Sequence, residues 1–115
     1  PAPVVQQQKS DRELMAMILD RLLSHKNAYW FNAPIDPDAL GIPHYRDIIK
    51  EPMDLGTIHT RLHADHYTIN ETEMNHSQFH YDVSLVFGNC RQFNHPNPLV
   101  YIHGVEMEKQ WERLW

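Results

Sequence analysis

The stretch from Tyr29 to Leu55, YWFNAPIDPDALGIPHYRDIIKEPMDL, decides how this chain folds, because neither a helix nor a solvated linker accounts for it. Pro34, Pro37, Pro43 and Pro52 remove N–H donors and restrict the residue before each, so no continuous helix can cross it. Phe31, Ile35, Leu40, Ile42, Tyr45, Ile48 and Ile49 are nevertheless too apolar for a chain surrounded by water. Loops longer than about 12–15 residues are usually functional or disordered, and this apolar content argues against disorder. The stretch is therefore expected to bury something and to form a binding wall.

Upstream, Ser10-Asp11-Arg12-Glu13 is an S-x-x-E capping box, in which the serine accepts an amide of the first turn and the glutamate reaches back to the cap. Leu14, Met15, Ile18, Leu19 and Leu22 recur at three-four spacing, so a helix is expected from this cap to about Lys26. Met15 and Met17 read as core filler. Within the long stretch, Asp36-Pro37-Asp38 and Pro43 each suit one brief helical turn. Asp54 is the next cap, with Met53 and Ile58 placed for a hydrophobic staple, and opens a helix over 55–63 with Leu55, Ile58 and Leu62 inward.

The span from Ala64 to Asn75 is polar, carries no apolar stripe and reads as loop, with 70–73 able to cap an early turn. Asn75, with Gln78 three residues on, starts the best-defined helix. Phe79, Val83, Val86, Phe87, Cys90 and Phe93 form its apolar face as far as Asn94, and His95-Pro96-Asn97-Pro98 then breaks the chain. A last helix shows Val100, Gly104, Met107, Trp111 and Leu114 at alternating steps of four and three, the seam of a bundle, with Trp111 and Trp115 as packing and end residues. With no alternating strand pattern, the fold class is all-α, a four-helix bundle. Its long first connection is expected to cover one end near the break at 94–98, leaving a pocket between the two loops. Residues 1–9 read as a disordered tail and 10–115 as one domain.

A chain of 115 residues suffices for a single core, and 42 % hydrophobic residues is a globular composition. No run approaches the roughly 18 apolar residues of a membrane helix, and PAPVVQQQKS shows no secretory pattern. One cysteine, Cys90, cannot form an internal disulfide, which fits a reducing intracellular compartment. The net charge of −5, without a Lys or Arg cluster, argues against duplex nucleic acid. It would steer a basic partner in more easily, but on charge alone it reads as mild acidity that keeps the domain soluble. His59, His63 and His66, or His76 and His80, raise a metal-binding bundle. No H-E-x-x-H, no di-iron E-x-x-H pairing and no second cysteine accompany them, so neither metal nor cofactor is expected. Without G-x-S-x-G or a phosphate loop, an enzyme is not expected either.

The segments Pro34-Ile35-Asp36, Ile42-Pro43-His44-Tyr45, Ile48-Ile49-Lys50-Glu51-Pro52-Met53-Asp54-Leu55 with Thr57-Ile58, Phe79 with Asp82-Val83, and Phe87-Gly88-Asn89-Cys90-Arg91-Gln92-Phe93-Asn94 together resemble the bromodomain, a four-helix acetyl-lysine-binding module. The resemblance implies a left-handed bundle from about Leu14 onward, with the opening stretch as its long ZA loop. It places Asn94 as the amide donor to the acetyl carbonyl and Tyr45 as the tyrosine that reaches the same oxygen through water. Phe31 and Ile35 match the pocket wall and floor, Leu40 and Ile42 the loop side, Cys90 and Phe93 the helix side, and Val100 the gatekeeper position.

Four departures stand out. Tyr29-Trp30-Phe31 replaces the family's Trp-Pro-Phe, putting the flat ring of Trp30 in the shelf where proline is usual. His44 replaces a common acidic residue, several extra residues lie between Tyr67 and Phe79, and Gly104 replaces a usual alanine. The implied function is a monomeric, nuclear, non-enzymatic reader of acetylated histone or other protein tails, with no direct nucleic-acid or membrane contact. The alternative is a degenerate member that binds partners regardless of acetylation. By position alone, Asn94 would be a helix-end residue capping its own backbone.

Overall fold

The computed structural model describes residues 9–94 and 98–115. Among these described residues five helices follow in order: α1 (Asp11–Leu23), α2 (Tyr45–Ile48), α3 (Leu55–His63), α4 (His76–Asn94) and α5 (Pro98–Leu114), with a 3-10 turn at Ala28–Trp30. α1 packs on α3 and α5, and α4 packs on α3 and α5, so the four longer helices close a ring around one core. Among the described residues the only β pairing is an isolated bridge between Thr68 and Met74. Residues 1–8 of the tail expected over 1–9, and 95–97 of the break expected over 95–98, lie outside the described residues.

Local chemistry explains the helix starts. Ser10 sits in extended backbone and accepts the Glu13 N–H at 3.2 Å, while the Glu13 carboxylate accepts from the Ser10 hydroxyl, not from the Ser10 amide of a full capping box. Asp54 accepts the Thr57 N–H at 2.8 Å and the Thr57 hydroxyl at 2.6 Å, and Asn75 accepts the Gln78 N–H at 3.0 Å. α1 ends at Leu23, short of Lys26. The His25 N–H turns back to the Leu22 carbonyl and the His25 ring accepts the Asn27 N–H, drawing the chain into the 3-10 turn.

The stripes read from the sequence mostly face inward: Met15, Ile18, Leu19 and Leu22 on α1, Leu55, Ile58 and Leu62 on α3, and Met107 and Trp111 on α5 are buried. Leu14 is a correction, since it lies exposed at the bundle edge. The long stretch divides. Phe31, Tyr45 and Ile49 are buried, whereas Ile35, Leu40 and Ile48 stay exposed, Leu40 at 63 %. Its two ends are joined by the Leu55 N–H donating to the Phe31 carbonyl at 2.8 Å. Asp36 caps the turn that follows it, accepting the Ala39 N–H, and the Ile42 N–H donates to the Pro37 carbonyl at 2.8 Å.

The polar span before α4 also differs from its reading as plain loop, because Tyr67 and Met74 are buried in it. Tyr67 is held from the far side of the core: its hydroxyl donates to Asp82 at 2.5 Å, and that buried carboxylate also accepts from Arg61 at 3.0 Å and Gln78 at 2.9 Å. Charge-assisted bonds of this kind are stronger than neutral ones. They offset the desolvation that burying a carboxylate entails.

Burial and the bond to Asp82 push the Tyr67 hydroxyl well above its ordinary pKa of 10.0. Above pH 10 an unfolded tyrosine releases its proton while folded Tyr67 keeps it, so the native state binds more protons and stability falls as pH rises. Tyr67→Phe is expected to cost about 1–3 kcal/mol at neutral pH by leaving Asp82 short of a donor. Urea denaturation between pH 7 and 11 should show that loss together with a shallower alkaline decline than in the wild type.

Candidate functional site

A cavity of about 360 Å³ opens at the end of the bundle where the long stretch faces the last turn of α4 and the first of α5. All ten residues singled out from the sequence line it. Trp30 and Phe31 enter from the 3-10 turn and the residue after it, and Ile35, Leu40 and Ile42 from the irregular chain. Tyr45 enters from the start of α2, Cys90, Phe93 and Asn94 from the end of α4, and Val100 from the start of α5.

Ring packing fixes the wall. Phe31 meets Phe87 edge-on at 5.8 Å between centroids, and Tyr45 meets Phe93 edge-on at 4.8 Å. Burial, reinforced by the neighbouring Cys90 thiol, raises the pKa of the Tyr45 hydroxyl above its usual value, so at neutral pH it keeps its proton and can both donate and accept. Burial likewise raises the Cys90 thiol, although the Asn94 amide opposes the shift. A protonated, buried thiol is a poor nucleophile, and here it acts as a small apolar wall element.

The sequence reading missed five wall residues: Ala33, Met53, Asp54, Val86 and Asn89. Two of these are polar but already occupied. The Asn89 amide donates to the Glu51 carbonyl at 2.7 Å, and the Asp54 carboxylate caps α3. The Asn94 amide nitrogen, by contrast, rests against the Cys90 sulfur one turn earlier at 3.7 Å, a long contact to a weak acceptor. Among the described residues no hydrogen bond engages the Tyr45 hydroxyl. Among the described residues, the cavity thus offers apolar surface, a Tyr45 hydroxyl without a hydrogen bond and an Asn94 amide held only by a weak contact to sulfur.

Trp30 brings in a residue that the sequence reading did not single out. Its indole N–H donates to Nδ1 of His103 at 2.9 Å, and its face lies against Tyr29 at 4.7 Å. The half-buried ring, itself part of the cavity wall, is therefore tied to α5. His103 stands three residues after Val100, on the same helix face, which is the only hint its position gave.

Elsewhere five of the described histidines have local partners. Nε2 of His59 and of His63 lie 3.2 Å apart, His76 pairs with Asp11 at 2.9 Å, the His66 ring packs on Tyr67, and the His80 ring on Trp111 and Trp115. Among the described residues no group of three or more His, Cys, Asp or Glu side chains is placed to hold a metal. Among them, too, no helix is long and apolar enough to cross a membrane.

An all-α bundle with a cavity between its long first connection and the facing ends of α4 and α5 defines an architecture shared with known proteins. The bromodomain family profile matches residues 15–106, and the chain belongs to that family. It is 38 % identical over 88 residues to the SWR1 complex bromodomain subunit bdf1 of Schizosaccharomyces pombe, covering 76 % of this chain and 14 % of that protein. It is also 38 % identical over 96 residues to the histone acetyltransferase GCN5 of Yarrowia lipolytica, covering 84 % of this chain and 19 % of that one. The chain thus spans less than a fifth of the length of these relatives.

Among solved structures it resembles the second bromodomain of Candida albicans Bdf1, bound there to an imidazopyridine. The TM-score is 0.82 and the identity 34 %, over 95 % of this chain and all of that one. The shared fold is a left-handed four-helix bundle.

His103→Phe removes the acceptor of the Trp30 indole while preserving ring volume. The Trp30 indole proton is expected to move upfield and to exchange faster with solvent in nuclear magnetic resonance spectra, with a stability loss of about 0.5–1.5 kcal/mol.

Proposed function

We propose that this domain reads acetylated lysine on basic protein tails, histone tails foremost, as a non-enzymatic module working in the nucleus. In this reading Asn94 donates its side-chain amide to the acetyl carbonyl, and Tyr45 holds the same oxygen through a water molecule. Phe31, Ile35, Leu40, Ile42, Phe93, Val100 and Trp30 enclose the methyl and methylenes, with Cys90 behind them. The observation that carries it is the division of polar groups in the wall: Asn89 and Asp54 are spent on the protein itself, while Asn94 holds only a weak contact to sulfur.

Chemistry supplies the selectivity. Acetylation replaces an ammonium with an amide that offers one good acceptor and a methyl. Brought into this cavity, an ammonium would lose water and find the Asp54 carboxylate already engaged, which is costly. The neutral amide exchanges the Asn94–sulfur contact for a bond to oxygen, worth about 0.5–1.5 kcal/mol net. Each buried methyl or methylene adds roughly 0.8 kcal/mol. Against association costs of several kcal/mol, this gives weak affinity, on the order of tens of micromolar to millimolar. Useful occupancy then comes from avidity with neighbouring modules.

The net charge of −5 complements a basic tail, and the names of the relatives, a bromodomain subunit of the SWR1 complex and a histone acetyltransferase, agree with this setting.

Isothermal titration with a histone H4 tail peptide in acetylated and unacetylated forms tests the reading. The acetylated peptide is expected to bind at least tenfold more tightly, and Asn94→Ala to lose detectable binding with its Tm within a few degrees of wild type. Equal affinity for the two peptides would instead mark an acetylation-independent docking module.

A further inference from the structure

We propose that Gly104 is a positioning residue for the acetyl-lysine site: by leaving room for the Cys90 thiol at the α4–α5 contact, it sets the poise of the Asn94 amide. The proposal rests on the acetyl-lysine reading of the cavity. Gly104 is buried in the middle of α5, where glycine weakens a helix and local preference favours alanine. A glycine kept at such a place calls for a packing reason.

The packing supplies one. A Cβ at position 104 would lie 2.6 Å from the Cys90 sulfur, and 3.5 Å from both Cys90 Cβ and the ring edge of Phe31. The thiol thus occupies the space that an alanine methyl would take. From that seat the sulfur donates to the Val100 carbonyl at 3.5 Å and receives the Asn94 amide at 3.7 Å. All four residues that meet there, Cys90, Asn94, Phe31 and Val100, line the cavity.

Displacing the thiol is not a small adjustment. In a helix one of the three staggered χ1 wells is closed by the preceding turn, so a side chain driven from its well has a single alternative. Rotation into it gives up the Val100 contact and removes the atom on which the Asn94 amide rests. If the thiol keeps its rotamer, α5 must move away from α4 and carry Val100 with it. Either route alters the wall at the atoms proposed to meet the acetyl group, although Gly104 itself touches no ligand.

Four proteins test this by a thermodynamic cycle: wild type, Gly104→Ala, Cys90→Ala and the double variant, each titrated with the acetylated and the unacetylated H4 tail peptide after thermal melting. Gly104→Ala is expected to weaken acetylated-peptide binding at least tenfold when Cys90 is present and by less than threefold when position 90 is alanine. The Asn94 side-chain amide resonances should shift in Gly104→Ala, whereas in the double variant they should match those of Cys90→Ala alone, because no thiol is left for the added methyl to displace. Should Gly104→Ala fail to melt cooperatively, Gly104→Ala/Cys90→Ser compared with Cys90→Ser takes its place, because the shorter hydroxyl lessens the clash without removing it.

A loss below threefold with Cys90 present, or an equal loss in both backgrounds, overturns the proposal while leaving the acetyl-lysine reading intact. Wild-type protein with no preference for the acetylated peptide overturns the reading itself, and the proposal with it.

Discussion

The whole binding end depends on a single closure of the main chain, the Leu55 N–H donating to the Phe31 carbonyl at 2.8 Å. It fastens the two ends of a long irregular segment to each other, so the residues between them must arch outward and leave a hollow beneath. The closure needs Gly56, because a Cβ there would come within 2.3 Å of the Asn32 carbonyl oxygen. α4 then fixes the returning arm: Asn89 donates to the Glu51 carbonyl, Gln92 to the Ile48 carbonyl, and Tyr81 to the Glu51 carboxylate. An irregular segment keeps a defined shape only when its backbone groups find such partners.

The two ends of the bundle solve opposite problems. At the far end, a carboxylate is buried and fully engaged, with Tyr67, Arg61 and Gln78 converging on Asp82. Removing one member of such a buried set is costly, because the others are left unpaired. At the near end, polar groups are left weakly engaged beside apolar surface, which is what a guest with one acceptor and one methyl requires. A bundle can hold an open hollow of this kind because its rigidity is supplied elsewhere.

Trp30 and Gly104 show how departures from a family pattern are absorbed. A tryptophan in a shelf position would be free to swing across the cavity mouth; the indole bond to His103 anchors it to α5. A glycine in mid-helix weakens α5 locally, but the sulfur of Cys90 fills the space it vacates. Each substitution is matched by a partner on another element.

The sequence by itself determined the longer helices, their starts at Ser10, Asp54 and Asn75, and ten residues of the cavity wall, because capping and helical periodicity are encoded within a few residues and the quoted segments follow a recognisable family pattern. Position alone did not separate Asn89 from Asn94, both amides near one helix end; the family resemblance pointed to Asn94, and the structure shows Asn89 spent on the Glu51 carbonyl while Asn94 holds only a weak contact to sulfur. Tyr67 and Met74 stand in a polar span without periodicity, so their burial depended on what the bundle brought against them. His103 facing Trp30 and Cys90 facing Gly104 belong to the same class. Periodicity tells which face of a helix a residue occupies, whereas the neighbour across that face is chosen by contacts between segments far apart in the chain, and only the assembled tertiary structure supplies those.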